Sequence, residues 1–364
     1  MNLLIYLAII LVCAVVWYLS RIFELASELR GEKQYEVRPR DNRLNGRLMI
    51  LFMVTFFAFC IWQFFKYKDK LLPVAASQEG AEIDWLLHFN FIIIIFVFFV
   101  TNFMLFYFAF KYAGSPERKA TYYPENHRLE LIWTVVPGCV LAVIIFLGLR
   151  TWNKITREPA EDEKFMLVEL YAQQFQWTAR YSGDNNTLGD ANYKLIGGSN
   201  ALGVDSMSEA GWDDFLVSDT LHLMVNKRVK FVFRSQDVIH SAYFPHFRQQ
   251  MNCVPGMRTQ LHFVPTITTD SMRRITHNPD FNYILLCNKI CGASHYNMQR
   301  PIIVDDSVSF MKWYNEKKKS VIFASKAPKV SDAPKNDTPA PMTMTKDSTN
   351  KNEGEKKDSS KVTK

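Results

Sequence analysis

A chain of 364 residues, 48% apolar and 22% charged, with 43 basic against 36 acidic side chains and a formal charge of +7, is long enough for two or three domains. The positive excess lies partly in a lysine-rich C-terminal stretch, so a solvated tail explains it and nucleic acid is not implied as a partner. Mean hydropathy near zero conceals a sharp division between an apolar first part and a mixed remainder.

Residues 1–150 are predicted to form a transmembrane helical anchor in the lipid bilayer. They hold four apolar runs of membrane-spanning length: Leu3 to Leu19, Leu48 to Phe65, Trp85 to Phe110 and Leu131 to Leu149. The first run has no basic segment before it and no small-residue cleavage site, and Arg21 follows it, so a retained anchor is expected in place of a signal peptide. Arg21, Arg30, Lys33, Arg38, Arg40, Arg43 and Arg47 separate the first two runs, and Lys111, Arg118, Lys119 and Arg128 separate the last two. Both loops are cytoplasmic by the positive-inside rule, which puts both termini on the outer side, although Lys66, Lys68 and Lys70 run against the trend. His88 and Asn90, inside the third run, are expected to bond to a partner helix and not to a metal. Glu130 opens the fourth run. An ionisable residue there suggests function, while the helix dipole favours a carboxylate at that position on structural grounds alone. Pro137, further along, is a kink that neighbouring helices accommodate.

Beyond Thr151 the runs "EKFMLVELYAQQFQWTARYSG", "DTLHLMVNKRVKFVFRSQDVIH", "TQLHFVPTITT", "FNYILLC" and "RPIIVDD" are rich in β-branched and aromatic residues and separated by Gly, Asn, Pro or Asp. They predict an all-β sandwich over residues 151–325. Asp184 to Trp212, rich in Gly, Asn, Ser and Asp, reads as a long surface insertion between strands. Residues 326–364 are almost wholly Lys, Asp, Ser, Thr, Pro and Asn and are predicted to be a disordered tail, because they cannot bury enough apolar surface to fold.

Of the six cysteines, Cys13, Cys60 and Cys139 fall in apolar runs as packing residues, and Cys253 stands alone near the end of a polar stretch. The other two lie in "LLCNKICGASHYNMQRP", where Cys287, Cys291, His295 and Met298 follow one another at separations of four, four and three. A helix would stack the first three on one face, but Asn288, Gly292 and Asn297 are turn formers, Pro301 closes the segment, and a strand-like "FNYILL" precedes it. A strand followed by a metal-binding loop is therefore expected. Thiolate, imidazole and thioether together suit copper, and Met298 argues against zinc, which rarely takes a thioether. One ion of the blue-copper type uses one Cys and two His, whereas two thiolates would bridge a copper pair. The second imidazole is expected from His240, read as the end of the strand-like run "RVKFVFRSQDVIH". Without copper, a Cys287–Cys291 disulfide is conceivable in an oxidising compartment.

"DVIHS", "CVPGM" and "CNKICGASHYNM" resemble subunit II of haem-copper cytochrome c oxidases, in the form seen in Bacteroidetes-type bacteria, and the likeness runs from about Glu130 to about Val304. It implies a cupredoxin-like fold on the periplasmic side of a bacterial inner membrane. It also implies two copper ions held by His240, Cys287, Cys291, His295, Met298 and the backbone carbonyl of Lys289, with no ligand role for Cys253. The implied partners are the catalytic subunit I, which holds the haem and reduces oxygen, other oxidase subunits, and a cytochrome c type donor. This chain itself has no Cys-x-x-Cys-His haem attachment motif. In "QQFQWTARY" the position where electrons usually enter is Phe175 and not tryptophan, so Trp177 is a second candidate, and either is equally a core aromatic. "LELIWTVVP" resembles the segment whose glutamate, here Glu130, opens a proton channel into subunit I. The family's interfacial magnesium site has carboxylates where this chain has Lys289 and Asn252, so no magnesium ligand is assigned. The family usually has two membrane helices, which makes the first two runs additions. Other readings are a structural zinc module, which would leave Met298 unused, and a copper-free quinol-oxidase type subunit, against which the full ligand set speaks. A nitrous oxide reductase copper domain would share the loop but not the membrane runs.

Overall fold

Each apolar run lies within one long helix of the computed structural model, which describes residues 2–29, 38–160, 162–198, 200–323 and 325. The predicted tail at 326–364, with Arg30 and Lys33 of the first loop, lies outside the described residues. The helices are α1 (Asn2–Leu29), α2 (Pro39–Tyr67), α3 (Gln78–Lys111) and α4 (His127–Thr156). They outrun the apolar stretches because polar caps start them outside the membrane core. Ser77 Oγ accepts from Gly80 N at 2.9 Å to open α3, and Asn126 Oδ1 accepts from Leu129 N at 3.1 Å to open α4. The 34 residues of α3 give a rod of about 51 Å, longer than a hydrocarbon core of about 30 Å. Pro137 sits inside α4 without ending it. The Asn90 amide donates to Leu86 O of its own helix at 2.7 Å.

The preceding helix α2 packs along α3 by phenylalanines: Phe52 on Phe106, Phe56 on Phe98 and Phe57 on Phe99, with ring centroids 5.4, 6.0 and 4.8 Å apart. Gly46 of α2 also faces α3, against Phe110.

Among the described residues ten strands form two five-stranded sheets. One holds β1 (Phe165–Gln173), β2 (Gln176–Tyr181), β3 (Phe215–Val217), β5 (Arg228–Ser235) and β8 (Thr259–Phe263), in the order β3-β2-β1-β5-β8. The other holds β4 (Leu221–Met224), β6 (His240–Phe244), β7 (Gln249–Cys253), β9 (Tyr283–Cys287) and β10 (Gln299–Asp305), in the order β4-β10-β9-β6-β7. Strand β5 shows why the sheets stack. Val229, Phe231 and Phe233 are buried and alternate with Arg228, Lys230 and Arg234, the period of two that gives one face to the core. Phe231, Phe233, Phe244, Phe247 and Phe263 fill the space between the sheets.

The continuous run read as ending at His240 is broken in the structure. β5 stops at Ser235, residues 236–239 turn, and His240 opens β6. The sequence reading also passes over β3, β7 and two short helices, α5 (Thr269–Thr276) and α6 (Ser307–Lys317). The helices start on Thr268 and Asp306, whose side chains accept from Ser271 N and from Val308 N and Ser309 N. The predicted insertion is a connection between β2 and β3, and it is not all surface: Leu202 and Val204 are buried against Tyr171.

A buried charge network ties that insertion to the sheet. Arg180, fully buried, donates to Glu169 at 2.7 Å, to Asp214 Oδ2 at 3.1 Å and to Gly189 O at 3.0 Å, and Arg234 also donates to Glu169. Burial pushes the Asp214 carboxyl up to about 7 even though Arg180 and the Gly189 N–H pull it down. Its second oxygen has no partner among the described residues.

The sandwich is fastened to the helix ends. Glu79 of α3 accepts from Arg228 at 2.8 Å and from Val264 N at 2.9 Å, Arg248 grips Asp84 at 2.7 and 3.1 Å, and Gln260 donates to Thr156 O of α4 at 3.1 Å. These contacts join the sandwich to the ends of α3 and α4.

Candidate metal centre

Cys287 is the last residue of β9, and the chain then leaves the sheet in the turns that Asn288, Gly292 and Asn297 favour. The loop is pinned at both ends. Asn288 N donates to Ser241 O at 2.9 Å, and Cys287 N donates to Met298 O at 3.0 Å, which returns Met298 beside the strand it left. His240 arrives from β6, adjacent to β9, where Ala242 pairs with Cys287.

The loop thereby gathers the six predicted donors. The Cys287 and Cys291 sulfurs are 3.9 Å apart. His240 Nδ1 lies 3.8 Å from the Cys287 sulfur and His295 Nδ1 3.5 Å from that of Cys291. The Met298 sulfur is 3.8 Å from Cys291 Sγ, and Lys289 O is 3.2 Å from Cys287 Sγ. The metal-binding atoms of His240, Cys287 and Cys291 all fall within 4.8 Å of one another. His240, Cys287, Cys291 and Met298 are buried, and His295 is half-buried. The cysteines are free thiols. Burial, then the neighbouring Cys287 sulfur, pushes the Cys291 thiol up to about 11. Two thiols this close and this dry would both ionise only with a cation between them. Two sulfurs, two imidazoles, a thioether and a carbonyl also exceed the four donors of a structural zinc and belong to the soft set that copper prefers.

Sequence reasoning gave no role to two residues that position these donors. Asp237 Oδ1 accepts from His240 Nε2 at 2.8 Å, and its Oδ2 accepts from Gln174 N at 2.7 Å. Burial opposes its ionisation, but hydrogen bonds from Gln174 N–H, the His240 ring and Val238 N–H outweigh it and hold the carboxyl below its usual range. Gln174, on the β1–β2 turn, donates through its side-chain amide to Cys291 O. The signal for Asp237 was its place three residues before His240 in "DVIHS", and Gln174 stood in the family-like segment "QQFQWTARY" beside Phe175.

Trp177 is buried, its ring centroid 6.2 Å from that of His240 in an edge-on arrangement, and its Nε1 donates to Met298 O at 3.4 Å. Phe175 is half-buried at the surface and packs on Gly292, where an added Cβ would come within 2.9 Å of its ring. Cys253 lies opposite His240 across β6 and β7 as a thiol pushed up to about 12 by burial. Lys289 and Asn252 are exposed, and neither offers a carboxylate. Glu130 stands apart, in the first turn of α4, with His127 Nδ1 3.1 Å from its carboxylate.

Two family descriptions match this chain: "Cytochrome C oxidase subunit II, transmembrane domain" over residues 62–151, and "Cytochrome C oxidase subunit II, periplasmic domain" over residues 166–307. The matched membrane part contains α3 and most of α4, while α1 and most of α2 precede it. "Alternative cytochrome c oxidase subunit 2" of Bradyrhizobium diazoefficiens is 32% identical over 247 residues, 68% of this chain and 83% of the relative. "Cytochrome c oxidase subunit 2" of Cereibacter sphaeroides is 25% identical over 253 residues, 66% of this chain and 78% of the relative. The crystal structure of the periplasmic domain of subunit II of cytochrome oxidase of Bradyrhizobium japonicum covers 45% of this chain and 98% of its own, at 21% identity and a TM-score of 0.30.

Proposed function

Because the chain belongs to the cytochrome c oxidase subunit II family, an electron-accepting membrane subunit with a periplasmic domain that works beside subunit I of haem-copper oxidases, we propose that it holds a binuclear copper centre. Its ligands are Cys287, Cys291, the Nδ1 atoms of His240 and His295, the Met298 thioether and the Lys289 carbonyl. On this reading residues 1–150 anchor the chain in a bacterial inner membrane and residues 151–325 form the copper domain. The electrons come from a periplasmic cytochrome c type donor and leave to haem in subunit I, where oxygen is reduced. The observation that carries the reading is the convergence of six donor atoms, five of them side-chain N or S, on two sulfurs 3.9 Å apart.

A copper pair held by these residues would supply a one-electron couple in which both oxidation states tolerate the same ligands. The residues of this chain supply the rest. Asp237 keeps the proton of His240 on Nε2, so Nδ1 presents a lone pair toward Cys287. Trp177 tethers the Met298 carbonyl and Gln174 tethers the Cys291 carbonyl, so the middle and the Met298 end of the loop are held in place. Burial of the sulfurs keeps water away from them. Phe175, at the surface over Gly292, lies on the side from which an electron enters, and Trp177 lies edge-on to the His240 ring. In the membrane, Glu130 takes protons from the cytoplasm for subunit I.

The reading is tested on the intact complex purified from membranes, by metal analysis and electron paramagnetic resonance. Two coppers assigned to this chain, with one unpaired spin shared between them, are expected. One zinc per chain and no visible absorption from the domain would sink the proposal.

A further inference from the structure

The ends of α3 and α4 that adjoin the sandwich leave an open groove of about 470 Å³ between them. Its walls follow helical spacing. Glu82, Trp85 and Leu86 come from the first three turns of α3, and Leu147, Arg150 and Lys154 from the last three turns of α4. On both helices these residues straddle the edge of the apolar run, since Trp85 opens that of α3 and Leu149 closes that of α4. The groove is therefore apolar toward the membrane core and charged toward the sandwich, the level at which lipid headgroups lie. Its charged groups differ in state. Lys154 donates to Glu82 across the groove, so these two neutralise each other and tie the helices together. Arg150 lies one turn before Lys154 on the same face and has no hydrogen bond or ion pair among the described residues. One positive charge is left over. Trp85 is 59% exposed and stacks on Phe89 with ring centroids 5.7 Å apart, which continues the apolar wall from the groove into the membrane.

A guanidinium at the rim of a hydrocarbon layer is costly to leave without an anion. At that depth the anions are the phosphodiesters of the lipids, and a planar guanidinium can hold two phosphate oxygens side by side. Below Arg150, the Leu86 and Leu147 side chains and the Trp85 ring give an acyl chain two helices to lie against, which covers more of its surface than one helix would. Inorganic phosphate would satisfy Arg150 and leave these walls bare. A fatty chain without phosphate would cover the walls and leave Arg150 unpaired.

We propose that this groove is a binding site for one phospholipid of the outer leaflet, whose phosphodiester is held by Arg150 and whose acyl chain lies against Trp85, Leu86 and Leu147. Lys154 stays with Glu82 and closes the upper end of the groove. The group beyond the phosphate extends toward water, so phospholipids with different headgroups share the site. It is independent of the copper reading and needs only that α3 and α4 cross the bilayer.

The test uses the intact complex, stripped of lipid in dodecyl maltoside micelles. Two photoactivatable probes carry a diazirine on the same acyl carbon: a phosphatidylglycerol, and a diacylglycerol that lacks the phosphate. Crosslinked peptides are mapped by mass spectrometry, and labelling of residues 82–86 and 147–154 is compared with labelling at Phe59, an exposed position of α2 that serves as the internal control. The phosphatidylglycerol probe is expected to label the groove about 10-fold more than the diacylglycerol, the lower part of the range for a hydrogen bond to a charged group. Arg150→Gln is expected to bring the two probes to the same yield with Phe59 labelling unchanged, and Arg150→Lys to keep most of the difference. Unlabelled phosphatidylethanolamine is expected to displace the probe, and glycerol 3-phosphate to leave it bound. Equal labelling of the wild type by the two probes, a yield indifferent to Arg150→Gln, or displacement by glycerol 3-phosphate at the same concentration would each overturn the proposal. So would a groove that neither probe labels while Phe59 is labelled, which would show that a neighbouring subunit covers it.

Discussion

Asp237 and His240 are joined at 2.8 Å, Oδ1 to Nε2, and this contact turns the other ring nitrogen of His240 toward the Cys287 sulfur. The bond settles which imidazole nitrogen is free, a choice that metal binding depends on. Asp237→Asn keeps an oxygen for the Nε2 proton, but it removes the charge and presents an NH2 group where Gln174 N needs an acceptor. Copper affinity is expected to fall about 10- to 100-fold, with the loop still folded. A competitive chelator titration of the purified complex measures the loss, and an unchanged affinity would show that the contact is incidental.

Cys287 and Met298 are not equivalent donors. The Cys287 sulfur has His240 Nδ1, Lys289 O and Cys291 Sγ within 3.9 Å, whereas the Met298 thioether approaches only Cys291 among these contacts. Cys287→Ser is expected to abolish the shared-spin signal and to reduce bound copper. Met298→Leu keeps the buried volume, a swap that usually costs under about 1.5 kcal/mol, and loses a weak ligand, so copper should stay bound at a shifted potential. Copper analysis and redox titration of the two variants check this order of severity. An unaltered spectrum in Cys287→Ser would show that the loop does not hold the metal.

Asp214 gives a stability test remote from the centre. With its folded value raised to about 7, against roughly 4 for a free carboxyl, the folded domain retains a proton that the unfolded chain has released between those two values. The stabilisation linked to that proton is whole below about pH 4, declines as pH rises and is lost above about pH 7. Asp214→Asn stays neutral throughout, so its advantage over the wild type should grow from pH 5 to pH 8. Thermal unfolding of both proteins at the two pH values decides it. A constant difference would mean that the Arg180 contact keeps Asp214 ionised.

The membrane helices and the six donors were legible in the sequence because each rests on a local signal: long apolar runs, and soft side chains at short spacings between turn formers. The break before His240 was not legible, because "RVKFVFRSQDVIH" carries strand-forming residues on both sides of Asp237, and the turn is fixed by bonds to Gln174, far away in the chain. Strand β7, "QQMNC", is polar and lies at a sheet edge, so its pattern resembles a loop. The buried pairs Arg180–Glu169 and Arg180–Asp214 were equally hidden, since nothing in a sequence distinguishes a charge on the surface from one paired in a core. Leu202 and Val204 showed the opposite problem: two apolar residues in a Gly, Asn and Ser rich stretch were outvoted by their neighbours, although Tyr171 buries them.

A substitution at Glu130 tests proton uptake separately from electron uptake. It lies in the first turn of α4, beside His127 at 3.1 Å, while the cysteine loop belongs to the sandwich at the opposite end of that helix. Its position also satisfies the helix dipole, which a neutral amide would serve nearly as well, at a cost of about 0.3–1 kcal/mol. Glu130→Gln keeps the shape and the acceptor oxygen but cannot ionise. If protons enter subunit I through this carboxylate, steady-state oxygen consumption should fall at least about 10-fold, the lower part of the range for loss of a positioned acid or base. The copper signal and its reduction by the donor in stopped flow should remain those of the wild type, because no donor atom of the centre is touched. Full turnover across the working pH range would leave Glu130 with the helix-start role alone.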